Sequence, residues 1–490
     1  MKHLTLASAA ILALVPVVPV QAFAQDQDSP IDSLLPADNA PAAEAPKPTG
    51  DPVLDRLNAL EARIRQLESR NAELEQQAAQ TQTRVENVEV RAAKAAQPGV
   101  VPTYSDVNGD FTFKPRGVLQ VDYAGYNERE GGYDFSNGTD IRRGRFGFEG
   151  TAFKKFKWRL DAEFVQQRVN LLDAYISYAL SPKWTVTAGQ HKAPYGLEAN
   201  TSDANNTFLE RSMASNAFGA VGAERRVGLS FAYNTDKLNA TVGLFGAGEA
   251  ITRNATSRDE PYGVNGRITW DPILDTGRVV HLGVSGYHVT NLAANGVTVA
   301  DRPNVRVDGG NLVSVAITGS APQGGAETGV QTATYAGAEA AIVFGPFSVQ
   351  GEYGALALNR YGLDSTLNFS GFNVFGSVFL TGESRSFKGG NVDKLKPFND
   401  FNPGNGHWGA FELAVRYDQL DLDDPTLGLP ATQGGRQAHT WTGALNWYLN
   451  PNLRAAFNYV RFTGRNSPLV ASGVGTAKGD IFATRLQLDF

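Results

Sequence analysis

Apolar and polar residues alternate strictly in three consecutive stretches between Ile141 and Leu180. In Ile141–Gly150, Arg143, Arg145 and Glu149 share one face and Phe146 and Phe148 the other. Trp158, Leu160, Ala162 and Phe164 then alternate with Arg159, Asp161 and Glu163. Leu172, Ala174, Ile176, Tyr178 and Leu180 alternate with Asp173, Tyr175 and Ser177. Period 2 marks a strand with one apolar and one polar face. A tilted strand needs about 9–11 residues to cross a bilayer core, and charges on every second position then face a wet interior. The same pattern predicts sixteen strands, near 117–126, 141–150, 157–166, 171–180, 184–192, 226–233, 238–247, 262–270 and 279–289, then 333–344, 347–357, 367–381, 408–418, 439–449, 453–462 and 480–490.

The connections fit an all-β transmembrane barrel of antiparallel strands. Ser181-Pro182-Lys183, Gly345-Pro346 and Asn450-Pro451-Asn452 are tight turns for one end, and 193–225, 290–331, 421–438 and 463–479 are long loops for the other. The long link 382–407 breaks this rule, and the alternation in Arg302–Asp308 leaves room for further strands. Phe482, Leu486, Leu488 and the terminal Phe490 share one face, opposite Arg485, Gln487 and Asp489, as an apolar exterior ending in an aromatic would. All six tryptophans fall at or near strand ends, where a membrane interface places them. A soluble sandwich or propeller has shorter strands and no such girdle.

The N-terminal region has a different period. Met1–Ala24, with Lys2, an apolar Leu4–Val20 and Ala22-Phe23-Ala24, reads as a secretory signal peptide, and 25–52 as a Pro/Ala-rich tether. From Leu57 the chain follows 3,4 spacing through Leu60, Ile64, Leu67, Asn71, Leu74, Ala78, Thr81, Val85, Val88 and Ala92, which predicts a coiled coil over 53–98 with a polar Asn71 in its core. Isoleucine and leucine at these positions favour two strands, whereas a barrel trimer implies three, and spacing alone does not choose. The barrel follows over 105–490.

Composition excludes several alternatives. No run beyond the N-terminus approaches the roughly 18 apolar residues of a transmembrane helix. The absence of cysteine removes disulfides and thiolate metal sites. Residues 26–100 carry 8 basic and 13 acidic side chains and the rest of the chain is nearly balanced, so no basic bias points to nucleic acid. Six scattered histidines offer no catalytic grouping, and no enzyme activity, metal or cofactor is expected. Charged rings at a narrow place confer selectivity in a pore. Arg143, Arg145, Arg159, Arg226 and Arg267 fall on polar faces by alternation; Arg142 does so only through a bulge, or lies above the lipid belt.

The runs FGFEGTAFKKFKWRLDAEF, LLDAYISY, GQHKAPYGLE, FLERS, FLTGESRSFK, AFELAVRYDQLDL and LNWYLNPNLRAAFNYVRF resemble the phosphate-selective porin O and P family over roughly 111–490. The resemblance implies a homotrimeric outer-membrane channel of sixteen strands with its third outer loop folded inward. It places Arg142 or Arg143, Asp173 and Arg211 in an anion pathway for phosphate or polyphosphate. The partners expected are outer-membrane lipid and small anions; with the N-terminus of the barrel on the periplasmic side, the coiled coil lies in the periplasm, where cell-wall contact is a further expectation. Ala193–Phe208 carries no lysine but has Glu198 and Asp203, with Lys192 at its base. A modest anion preference is therefore expected rather than tight phosphate binding. Two other readings are a weakly selective general porin and a structural barrel anchor.

Overall fold

The computed structural model describes residues 51–95, 101–248, 260–292, 296–320, 326–427 and 436–490. The expected signal peptide and all of the tether but Asp51 and Pro52 lie outside the described residues. The chain forms two units, Met1–Arg91 and Ala92–Phe490.

The first contains one long helix, α1 (Pro52–Ala95). Asp51 caps it, accepting from the Val53 amide at 2.9 Å, and Pro52 supplies a first residue that needs no donor. Leu57, Leu60, Ile64, Leu67 and Leu74 are each more than half solvent-exposed along one stripe. The expected core positions Ala78, Thr81, Val85, Val88 and Ala92 lie outside the described side chains.

The second unit is a closed barrel of sixteen antiparallel strands. They are β1 (Thr112–Glu130), β2 (Gly138–Ala152), β3 (Phe156–Val165), β4 (Arg168–Ala179), β5 (Trp184–Lys192), β6 (Arg225–Asn234), β7 (Leu238–Phe245) and β8 (Tyr262–Asp275). The second half comprises β9 (Arg278–Thr290), β10 (Val330–Phe344), β11 (Phe347–Arg360), β12 (Leu363–Phe379), β13 (Ala410–Asp421), β14 (Gln437–Tyr448), β15 (Leu453–Arg465) and β16 (Thr476–Asp489). Each pairs with its sequence neighbour, and β16 closes on β1 from Val118↔Asp489 onward, so every edge is used. The terminal Phe490 exchanges backbone hydrogen bonds with Gly117 at 3.0 Å. Its ring lies 2.6 Å from where a β-carbon at 117 would sit, so a side chain there would push the terminal ring aside.

Alternation carries through to burial. Along β1, Leu119, Val121 and Tyr123 are 45%, 39% and 46% exposed, while Gln120, Asp122 and Ala124 are at most 2% exposed. Such an outer surface is stable only against lipid, and Trp184, Trp270, Trp408 and Trp441 stand about half exposed along it. Two links at the long-loop end are minimal: Gln166 and Gln167 make a two-residue hairpin turn with φ of 53° and 60°, and Tyr361-Gly362 joins β11 to β12.

Among the described residues, three links fold into the lumen. Residues 193–224 carry α2 (Leu197–Asn200) and α3 (Met213–Gly222). The described residues between 291 and 329 do not add to the barrel. Val297–Asp301 pairs with Val313–Ile317 in a separate hairpin against α3, and Arg302–Asp308, which alternates in sequence, forms its tip instead of a strand. The exceptional link 380–409 also turns inward: Phe387–Lys388 pairs with Asn391–Val392, and Phe387 packs with Leu197, Val279 and Val343. An inward path satisfies the backbone of a long link that would otherwise leave the barrel.

Candidate functional site: the lumen between two chambers

The infolded links dock chiefly against the β8–β16 side of the wall, and the β1–β6 side borders two open chambers. The chamber at the long-loop end measures about 570 Å³ and is bordered by eight cationic and six acidic side chains. The cations are Arg142, Arg143, Arg145, Lys192, Arg211, Arg225, Arg302 and Arg306; the acids are Asp140, Glu163, Asp203, Glu210, Glu224 and Asp301. The chamber at the short-turn end, about 360 Å³, is bordered by Arg116, Arg145, Arg159, Lys192 and Arg225 against Asp161, Asp173 and Asp203. The charged residues common to both are Arg145, Lys192, Arg225 and Asp203. They stand where the chambers meet.

A β-bulge explains the arginine pair. Gln120 is opposite Arg143 and Val121 is opposite Ile141, leaving Arg142 as the extra residue, so Arg142 and Arg143 both turn inward. Arg142 grips Glu210 through Nε at 2.7 Å and Nη2 at 3.0 Å. Arg143 donates to Gln120 Oε1 at 2.7 Å and faces Asp203 at 3.4 Å. Its Nε, buried, has no partner among the described residues. Arg145 bridges Glu163, at 2.8 Å, and Asp203. Arg211 reaches Asp203 from the loop itself and donates to the Glu198 carbonyl at 3.0 Å. Deeper along the wall, Arg159 contacts Asp161 at 2.6 Å and Asp173 at 3.2 Å, and Arg225 reaches Asp173 at 2.9 Å.

The loop carboxylates are consumed in docking. Glu198 accepts from the Ser212 amide at 2.8 Å and lies 3.4 Å from the fully buried Arg416. Glu210 is shared by Arg142 and Arg485, and Arg485 also holds Asp122 in a two-bond grip at 2.7 Å. Burial alone would raise the Asp203 carboxyl, yet Arg143, Arg211 and Arg145 hold it well below its ordinary value. Glu210 is likewise held down, against burial, by Arg142, Arg143 and Arg485. A depressed folded-state value means these contacts are present above the ordinary carboxylate range and are lost only in strong acid.

Six of the eight pathway residues expected from sequence border the chambers: Arg142, Arg143, Arg145, Arg159, Asp173 and Arg211. The other two are engaged elsewhere. Arg226 donates to the Gly246 and Val221 carbonyls, tying loop ends together. Arg267 is locked to Glu339 at 2.5 Å and to the Gly390 carbonyl at 2.7 Å. Sequence reasoning missed Arg225, because the alternation of Val227, Leu229 and Phe231 assigns the inward position to Arg226; at the first residue of β6 the side chain still swings to Asp173. Arg116, Arg302 and Arg306 were missed as well. Lys192 was noticed only as the loop base, although its ammonium reaches the Ala199 and Thr201 carbonyls at 2.8 and 3.3 Å on the chamber wall. Its place two residues beyond Gln190, itself an inward residue, is a signal that alternation offers.

The chain is 29% identical over 427 residues to an uncharacterized protein of Caulobacter vibrioides, covering 82% of this chain and 81% of that one. It is 26% identical over 413 residues to Porin O of Pseudomonas aeruginosa, covering 78% and 89%. Among solved structures, an anion-selective porin from Comamonas acidovorans matches with a TM-score of 0.46 at 14% identity, covering 78% of this chain and all of that one. The trimer form of OmpT from Vibrio cholerae matches with a TM-score of 0.44 at 12% identity, covering 78% and 99%. The family model for phosphate-selective porin O and P matches residues 113–490, and the chain belongs to this family of outer-membrane porins, channels rather than enzymes.

Proposed function

We propose that this porin passes small anions, inorganic phosphate among them, along the β1–β6 wall, with a preference that is modest rather than tight. The observation that carries the reading is the excess of cations along both chambers, eight against six acidic side chains in one and five against three in the other, with Arg145, Lys192 and Arg225 bordering both. Surplus positive charge at a narrow, poorly screened place enriches anions. Arg142, Arg143, Arg211 and Asp173 extend the path, and Arg159 continues it toward the short-turn end. Arginine suits phosphate because its planar fork donates two parallel bonds. Most of these guanidiniums already hold a carboxylate, and an arriving anion must compete with it, which favours fast passage over retention. The test is the zero-current potential of the protein in a planar bilayer under a salt gradient, with and without phosphate. Anion preference at low salt, with chloride current persisting in millimolar phosphate, is the expected result. Cation preference would overturn the reading, and block of the chloride current would replace the modest preference with true phosphate binding.

The assembly proposed with it is a homotrimer whose α1 helices associate in the periplasm through Leu57, Leu60, Ile64, Leu67, Asn71 and Leu74. The support is the exposed apolar stripe, which in a lone helix has nothing to bury against. Deleting residues 26–98 should leave single-channel conductance intact while lowering the temperature at which the oligomer dissociates in detergent. A truncated protein that inserts but does not conduct would show that this segment is no separate module.

A further inference from the structure

Asp203 stands among cations drawn from two parts of the chain. Arg143 Nη2 lies 3.4 Å from its Oδ1, Arg211 contacts the same oxygen, and Arg145 contacts Oδ2. Two of these arginines come from β2 and the third from the loop that carries Asp203 itself. The carboxylate is only 4% exposed, yet it borders both chambers. Enclosing a charge costs solvation that its partners must offset, so a purely structural role should be evident in what the carboxylate holds in place. The turn that presents it is held by other groups. Asn205 donates its amide to the Ser202 carbonyl at 2.9 Å and closes the turn. Gln487 of β16 holds the Ala204 carbonyl at 3.0 Å, Arg454 of β15 the Asn206 carbonyl at 2.7 Å, and Asn446 of β14 the Thr207 carbonyl at 2.9 Å. None of these bonds uses the carboxylate.

The arginines are placed without it as well. Arg143 donates to Gln120 at 2.7 Å, Arg145 to Glu163 at 2.8 Å, and Arg211 to the Glu198 carbonyl at 3.0 Å. Each therefore keeps its direction when Asp203 is neutralised, and the buried Arg143 Nε has no partner among the described residues. Three preset guanidiniums around one recessed point suit a tetrahedral oxyanion, whose oxygens each accept charge-assisted bonds. Here a carboxylate of the chain takes that place. The geometry points to Asp203 as a specificity-determining residue of the pore: it is a tethered anion that fills an otherwise complete site for phosphate, so that a permeating anion competes with it. This rests on the anion path proposed above and names the residue that keeps retention weak. A group fixed beside the arginines competes at an effective concentration above that of a millimolar solute. Burial pushes the Asp203 carboxyl up, but Arg143, Arg211, Arg145 and Lys192 hold it well below its ordinary value, so the competitor is charged at neutral pH.

The test is block of chloride current by inorganic phosphate in planar bilayers, on the full-length protein and on its Asp203→Ser and Asp203→Asn variants. In Asp203→Ser, which removes the charge and opens the space, the half-blocking phosphate concentration should fall at least about tenfold, the scale of one charge-assisted contact. Asp203→Asn, which removes the charge but keeps the shape, should lie between that variant and the unaltered protein. Equal shifts in the two variants would assign the effect to the field alone and overturn occupancy of the site by the carboxylate. An unaltered protein that prefers anions, with no lowered half-block in Asp203→Ser, would overturn the inference and leave the proposed path standing. A cation-preferring unaltered protein would instead remove that path, and phosphate block in Asp203→Ser would still identify the site. Failure of both variants to form a conducting channel would overturn the inference, because the fold would then need the carboxylate.

Discussion

Replacing Arg143 and Arg145 together by alanine is expected to move the zero-current potential toward cations at low salt, further than either single change does. The reason lies in Asp203. Its carboxylate now faces Arg143 at 3.4 Å, Arg145 and Arg211, and the double variant leaves it with Arg211 alone among these. The substitution therefore removes two cations and uncovers an anion at the place where the chambers meet. A unit charge about 4 Å from a permeating ion contributes about 4 kcal/mol at an effective dielectric of about 20. A third of that is already about tenfold in the anion-to-cation ratio. In 1 M salt the screening length shrinks to about 3 Å and the difference should fade. A potential unchanged in the double variant at low salt would mean that these residues do not set selectivity. Adding Asp203→Asn to the pair should restore part of the shift, and its failure to do so would locate the effect elsewhere.

The barrel was legible in the sequence because a lipid-facing strand needs only local information. Period 2 in segments such as Trp158–Phe164 and Leu172–Leu180 fixed which side chains face out, and Gly345-Pro346 or Asn450-Pro451-Asn452 fixed where the chain turns. The interior was less legible, because its contacts join distant residues. The amides of Leu197 and Glu198 find Glu352, 155 and 154 residues away, and the Met213 amide finds Asp418 at a separation of 205. No pattern near residue 200 announces those partners. Charge in the loop was correspondingly misleading. Glu198 and Asp203 read as acid added to a constriction, yet Glu198 faces Ser212 and Arg416, and Asp203 organises three arginines. The Arg302–Asp308 alternation failed for a related reason: Asn304 is drawn inward to Thr440 and Asp418, at 2.6 and 3.2 Å, which a ladder strand would forbid. The bulge at Arg142 was visible as a break in alternation, and register alone decided that it turns the side chain inward.

Those distant anchors also decide how rigid the constriction is. Glu352 accepts from the first two amides of α2, at 3.0 and 2.7 Å, and fits beneath Gly196, whose φ of 51° and missing β-carbon leave room for the carboxylate. Asp418 accepts from the first amide of α3 at 2.8 Å and from Asn304 at 3.2 Å, so a single oxygen holds both infolded loops. Truncating Glu352 and Asp418 together to alanine leaves buried donors unmet at each point, at about 1–3 kcal/mol apiece. Each 1–3 kcal/mol corresponds to about 5–150-fold in the population of loops that have left the wall. The expected result is a channel with larger mean conductance, visible current noise and weaker anion preference, because the loop that narrows the passage no longer stays docked. Glu352→Gln, which keeps one acceptor oxygen, should lie between. Single-channel records of the double variant that match the unaltered protein in both amplitude and noise would show that the arginine pairs to Asp203 and Glu210 hold the loop without these two carboxylates.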